Sequence, residues 1–286
     1  MIGKMEAVVK FERGVGLVEL REVKIPEIGS NEVLIKVKEG CVGAEARIWR
    51  DEPRGFWDRI VNPPVILGAE NCGEIVEVGK EVEPWQVGDR VVSELIVSTC
   101  GRCLYCMTGS HFHCSKRILL GRGADGCFAD YFKIPARFLH RIPDNVSYDE
   151  AAVAEDTSVV ISALVERAGI EMGEFVVVLG PGAIGLLCSQ IAKAAGASKV
   201  LVAGLSRDKE RLDLAKDLGA DHVVDLEKES LKDLVEELSC GEGADVVVEA
   251  SGSHPAIEHA FELIRAEGKV VAIGLSSDPA GVSWSR

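Results

Sequence analysis

Positive charge is the scarcer sign in this chain. Lys and Arg total 32 of its 286 residues against 46 Asp and Glu, a formal net charge of −14. That balance excludes nucleic acid and anionic membrane as main partners. Long hydrophobic runs are also missing. The most apolar stretch, Phe175 to Cys188, is broken by Gly180, Pro181, Gly182 and Gly185, so it is too short and too glycine-rich to span a bilayer. Residues 1–14 carry Lys4, Glu6, Lys10, Glu12 and Arg13 and no apolar leader core, so a cytoplasmic protein without a signal peptide is expected. An even, disulfide-forming set of cysteines is absent as well: there are nine. In a reducing compartment, clustered thiols read as metal ligands instead. The 30 glycines have no short period, which excludes collagen-like and low-complexity chains. An apolar fraction of 47% supplies enough material for a core, which excludes general disorder.

The second half is regular. Apolar β-branched runs begin at Phe175, Lys199, His222, Asp245 and Lys269, at offsets of 24, 23, 23 and 24 residues. Between them lie helical patterns at 183–195, 207–218, 227–239 and 255–267, with Leu212, Leu214, Ala215 and Leu218 on one face of the second. Short buried strands alternating with amphipathic helices form βαβ units, which give an α/β fold with a parallel sheet covered on both faces. The first half differs. Val8–Val9, Glu32–Val37, Gly73–Val78 and Arg90–Val92 are short runs separated by Gly and Pro, the pattern of an antiparallel, barrel-like domain. A helical stretch at 149–167 leads into the first parallel strand. The expected domains are residues 1–150, with a cysteine lobe at about 95–117, and residues 151–286.

Two motifs carry chemistry directly. Gly180-Pro181-Gly182-Ala183-Ile184-Gly185 follows a strand and opens a helix. In that context Gly180 permits a tight turn, Gly182 lets the backbone approach a pyrophosphate, and Gly185 lets helix and strand pack closely. Ala183 and Ile184 present N–H groups at the positive end of the helix. The second parallel strand runs into Gly204-Leu205-Ser206-Arg207 and has no carboxylate at 203–206. A missing carboxylate removes repulsion of a 2′-phosphate, and Ser206 and Arg207 are suited to bind one. The expected cofactor is therefore NADP or NAD, with NADP favoured.

The second motif is Cys100, Cys103 and Cys106, followed by Cys114. Four thiolates at this spacing can surround one tetrahedral ion and leave no open position, which reads as structural zinc. An iron–sulfur cluster and four free thiols stay open as alternatives. His111 and His113, inside the lobe, read as surface residues, and Cys72, Cys127, Cys188 and Cys240 as small buried groups.

Several stretches together resemble the zinc-containing medium-chain alcohol dehydrogenase superfamily, in particular its polyol and threonine dehydrogenase-like branch. They are Gly68–Gly79, Val87–Val91, the four-cysteine lobe, Ala151–Ser158 and the Gly180 loop. The resemblance runs from about Met5 to the end of the chain. It implies a GroES-like catalytic domain joined to a Rossmann domain, and hydride transfer between nicotinamide and an alcohol or carbonyl of a small-molecule substrate. It also implies a dimer or tetramer.

The departures from that pattern concern the catalytic metal. The first ligand of the family falls at Val42, its proton-relay hydroxyl at Ala44, its relay histidine at Arg47 and its second ligand at Ala69. Glu155 keeps a ligand-capable side chain, and Glu70 keeps the neighbouring carboxylate. Valine and alanine cannot bind zinc, and carboxylates alone suit it poorly. Cys41 could substitute only by reaching across from the neighbouring position. The expectation is one structural zinc and no ordinary catalytic zinc. The reaction would then be reduction of an activated carbonyl or alkene, with Glu155, Glu70, Thr157 or Ser158 as acid and Arg47 as anchor for an anionic group. Two such carboxylates without a metal between them would share a proton. Trp49, Phe56 and Trp57 would line the pocket or pack beside it. An ordinary zinc alcohol or polyol dehydrogenase, and a dinucleotide-binding protein without activity, remain as alternatives. Relatives usually continue for several tens of residues past the strand at 269–274, so the last strand and the returning catalytic segment are expected to be missing, in a fragment or in a member with a reduced second domain.

Overall fold

Alternation of apolar and polar residues builds the first unit of the chain from antiparallel strands. The computed structural model describes residues 3–43, 60–276 and 281. Arg47, and with it Ala44, Trp49, Phe56 and Trp57, lies outside the described residues. The chain divides into two compact units, Met1–Glu155 and Asp156–Arg286.

The first unit contains β1 (Lys4–Lys10), β2 (Val18–Lys24), β3 (Glu32–Gly40), β4 (Val65–Ile66), β5 (Asn71–Val78), β6 (Arg90–Ser93), β7 (Ile96–Ser98), β8 (Ile118–Leu119), β9 (Tyr131–Pro135) and β10 (Leu139–Arg141). They form sheets of order β2-β1-β4 and β10-β6-β5-β3-β9, with β7 paired to β8 beside the cysteine lobe. Val33, Ile35, Ile75, Val91, Phe132 and Ile134 make the core of the larger sheet. Asp89, which is 6% exposed, precedes β6 and ties it to β10: Arg141 donates to both carboxylate oxygens at 2.6 and 2.9 Å. The Arg141 guanidinium, aided by the Gln86 N–H and opposed by burial, holds the Asp89 carboxyl below its usual range.

The second unit contains β11 (Phe175–Leu179), β12 (Lys199–Gly204), β13 (His222–Asp225), β14 (Ala244–Glu249) and β15 (Ile264–Ala272). Their order, β13-β12-β11-β14-β15, is all parallel and is that of a doubly wound dinucleotide fold. Successive residues face opposite layers. Val176, Val178, Val200, Val202, Val246 and Val248 meet helices Ala183–Ala194 and Lys209–Asp217. Phe175, Val177, Leu179, Leu201 and Val247 meet helices Leu231–Leu238 and His254–Leu263. Burial on both faces explains why these strands read as continuous apolar runs.

Three sequence expectations shift. The helix expected to reach residue 267 ends at Leu263, because Ile264 is already extended and Glu267 adopts a positive φ of 60°. The stretch at 149–167 splits into helices Tyr148–Ala151 and Ala154–Ile161 and a π-helical segment Ser162–Arg167. Cys72, Cys127 and Cys188 are buried, whereas Cys240 is exposed, just past a helix end with φ 56°. Among the described residues no helix is long and apolar enough to cross a membrane.

The depressed Asp89 carboxyl gives a pH test. Its stabilisation is fully present above the ordinary carboxylate range and is lost as pH falls through the lower folded value. Asp89→Asn should cost about 1–2 kcal/mol at pH 7 by urea denaturation, and the gap from the parent should narrow toward pH 3.

Candidate functional site

The cysteine lobe is short of apolar glue. Helix Leu104–Met107 starts at Cys103, and a 3-10 turn, His111–His113, precedes Cys114; neither has a buried residue. What it has is sulfur. The Sγ atoms of Cys100, Cys103, Cys106 and Cys114 all lie within 4.8 Å of one another. Cys103 and Cys106 are 3.5 Å apart, and Cys100 and Cys106 3.9 Å. Tetrahedral zinc with bonds of about 2.3 Å would place its sulfurs about 3.8 Å apart, so the four fit that ion. Backbone N–H groups of Arg102 and Cys103 lower the Cys100 thiol to about 6. At Cys103 the Cys106 N–H favours the thiolate, but burial and the neighbouring thiols prevail and push it to about 11. His111 and His113 stand outside this ligand group; His113 is exposed, whereas His111 is half-buried rather than a surface residue.

The Gly180 turn has the shape its sequence implies. Gly180 has φ 107°, and its N–H bonds the Ala203 carbonyl at 2.9 Å. A Cβ on Gly185 would stand 1.8 Å from the Gly180 oxygen, so only glycine permits that contact. A Cβ on Gly182 would meet nothing within 4 Å, so the space above that backbone is open. The first bond of helix Ala183–Ala194 runs from the Leu186 N–H to the Gly182 oxygen, which leaves the N–H groups of Ala183, Ile184 and Gly185 ahead of the helical ladder. An open backbone and a helix N-terminus suit a pyrophosphate.

Two features of this edge were missed in the sequence. Glu249, 1% exposed at the end of β14, accepts from the Ser251 N–H and hydroxyl and from the Gly252 N–H at 2.8, 2.6 and 2.9 Å. It thereby holds Ser251 against Gly180, whose added Cβ would lie 2.8 Å from the Ser251 Cβ. The strand end Glu249-Ala-Ser-Gly252 carried that signal. The second concerns Ser206. β12 has no carboxylate at its end, but β13 brings two: Asp225 accepts from the Ser206 hydroxyl at 2.7 Å and Glu227 from the Ser206 N–H at 2.9 Å. Gly204 packs on Pro181, since its Cβ would stand 2.8 Å from Cγ, and Arg207 lies exposed on the same turn.

The third group lies around Glu70, which is 6% exposed. A carboxylate oxygen of Glu70 and one of Glu155 lie within 4.8 Å of each other. The Cα of Gly43 rests on the Glu70 carboxylate so closely that a Cβ there would be 2.0 Å from Oε1. Neither position at which the family resemblance expects a ligand offers a donor: Val42 is exposed and Ala69 is 1% exposed beside Glu70. The Asn71 amide donates to the Ala69 carbonyl and to the Ser93 hydroxyl, both at 2.8 Å. Cys41 packs with Cys72, Ile142, Ala151 and Ala152, and its thiol joins no ligand cluster among the described residues. A borderline-soft zinc ion is poorly served by this donor set. On helix Ala154–Ile161, Thr157 is half-buried and Ser158 exposed.

Known proteins share the fold of both units. Residues 183–286 match the zinc-binding dehydrogenase family, and residues 29–144 match the alcohol dehydrogenase GroES-like domain. A sorbitol dehydrogenase of Halalkalibacterium halodurans is 41% identical over 276 residues, which cover 96% of this chain and 78% of that one. A D-arabitol-phosphate dehydrogenase of Enterococcus avium is 37% identical over 274 residues, or 95% of this chain and 76% of that one. A zinc-binding dehydrogenase structure from Sinorhizobium meliloti 1021, bound to NADP, superposes with a TM-score of 0.86 at 31% identity, covering 98% of this chain and 80% of that one.

The two glycines that follow Gly180 should separate binding from folding. Gly182→Ala fills open space, so it should weaken NADH binding at least about tenfold and leave the thermal midpoint in place. Gly185→Ala strikes a carbonyl, so it should cost about 1–3 kcal/mol of stability. Fluorescence titration and thermal unfolding read the two effects.

Proposed function

The chain belongs to the zinc-binding dehydrogenase family with an alcohol dehydrogenase GroES-like domain, and from that membership we propose that it reduces the carbonyl of a polyol-derived or related small molecule without a catalytic zinc. Hydride transfer with a nicotinamide dinucleotide is the chemistry of the family. Two relatives act, by name, on sorbitol and D-arabitol phosphate, which supports a polyol and its ketose as the substrate class. Residues 1–150 are the catalytic domain and residues 151–286 the dinucleotide domain in this reading.

The observation that carries the reading is the exchange of both replaced ligand positions for Val42 and Ala69 while the buried Glu70 keeps Glu155 within 4.8 Å. Two carboxyl groups this close can hold one proton between them. When bound, the dinucleotide supplies the hydride to the carbonyl carbon. Glu155 or Glu70 delivers the proton to the carbonyl oxygen, which leaves an alcohol and the oxidised nicotinamide. Gly182, Ala183 and Ile184 hold the pyrophosphate, and the contact of Gly43 with the buried Glu70 keeps the carboxylate in place. Cys100, Cys103, Cys106 and Cys114 hold a structural zinc, which ties the lobe at 95–117 together and takes no part in the reaction. A cytoplasmic homodimer or homotetramer is the assembly that accompanies this reading.

Steady-state assays with ketoses, diketones and enones, following loss of reduced nicotinamide absorbance, test it. Turnover of one of these classes is expected to fall about 10²–10⁴-fold in Glu155→Gln or Glu70→Gln while the dissociation constant for the reduced dinucleotide stays within about twofold. Full activity in both variants would refute the role given to the carboxylates, and the absence of turnover across all three classes would refute the reaction.

A further inference from the structure

The acid that β12 lacks is supplied from its neighbour. We propose that Asp225 and Glu227 make the dinucleotide site of this chain select NAD over NADP, the reverse of what β12 alone predicts. The inference rests on the Gly180 turn as the pyrophosphate site and adds the choice of cofactor to it.

β11 and β12 run in parallel register with Leu179 opposite Ala203, so the turns leaving their ends are neighbours. The Gly204–Pro181 packing shows how close they are: a Cβ on Gly204 would stand 2.8 Å from Pro181 Cγ. A dinucleotide with its pyrophosphate at Gly182 lays its adenosine ribose over the turn that follows β12. A 2′-phosphate at that turn needs hydrogen-bond donors. Ser206 offers two, and both already serve carboxylates, the hydroxyl at 2.7 Å from Asp225 and the N–H at 2.9 Å from Glu227.

Those carboxylates are anchored. Lys228 donates to Asp225 Oδ2 at 2.6 Å, and the Glu227 N–H donates to Oδ1 at 3.1 Å. Lys228, with the Ser206 hydroxyl, holds the Asp225 carboxyl below its usual range, so it is ionised at neutral pH. Asp208 adds a third acid to the turn, where its carboxylate accepts from the Leu205 N–H at 3.2 Å. Arg207 faces solvent on the turn, Arg211 lies 3.6 Å from Asp208, and Lys228 is already engaged by Asp225. A dianionic 2′-phosphate would therefore have to displace carboxylates from Ser206 and lie against their charge. A ribose 2′-hydroxyl instead donates to a carboxylate. This is the discrimination that an acid at the end of β12 usually performs.

Fluorescence titration of the full chain with NADH and with NADPH tests the inference, on the parent, on Glu227→Gln and on Asp225→Asn. Glu227→Gln keeps an acceptor for the Ser206 N–H and removes the charge. The parent is expected to bind NADH at least about tenfold more tightly than NADPH. The two variants should narrow that ratio about tenfold, chiefly by tighter NADPH binding. Equal affinities or an NADPH preference in the parent would overturn the inference, as would a ratio unchanged in both variants. Binding of neither dinucleotide by the parent would overturn the Gly180 turn as a cofactor site as well, so the two failures are distinguishable.

Discussion

Four sulfur atoms within 4.8 Å of one another cannot all carry the charge that makes them ligands unless a cation sits among them. The lobe shows the conflict: its backbone N–H groups lower Cys100 to about 6, while Cys103 is driven to about 11 beside its neighbours. A divalent ion at the centre would resolve it and would do for this loop what a core does elsewhere. The two helical turns of the lobe bury no side chain, and Leu104 and Met107 are turned out to solvent at 72% and 73%. Among the described residues the local sheet is the β7–β8 pair from which the lobe extends.

At the family's other metal position the proposal is the opposite. Val42 and Ala69 stand where the resemblance places the family's ligands, and Glu70 and Glu155 offer oxygen donors alone. The buried Glu70 is retained and pressed against Gly43, a costly placement for an acid with no task. Oxygen-only chemistry of this kind suits moving a proton better than holding zinc. In the doubly wound sheet Gly180 packs against Ser251 and Gly185 against the Gly180 carbonyl, while the backbone at Gly182 stays open.

Most of the second unit was legible in the sequence because each strand is buried on both faces and so stands out as an apolar run. β11 and β13 fall at the expected residues. The end of helix His254–Leu263 was not legible, since nothing in the apolar pattern announces the turn at Glu267. In the first unit β2 escaped notice because it is an edge strand with mostly exposed residues, so it lacks the alternation that marks β5. The thiol quartet and the glycine turn were legible because their residues are adjacent in sequence. The carboxylates at Ser206 were not, because Asp225 and Glu227 lie about twenty residues further on and reach the turn only through the β12–β13 register. Arg47, expected to anchor an anionic group, lies outside the described residues.

The division of labour between the two metal positions reduces to a count. Elemental analysis of the purified chain, set beside Cys106→Ser, measures it directly. One zinc per chain in the parent and none in the variant is the predicted result. Two zincs in the parent, or one that survives loss of Cys106, would contradict it.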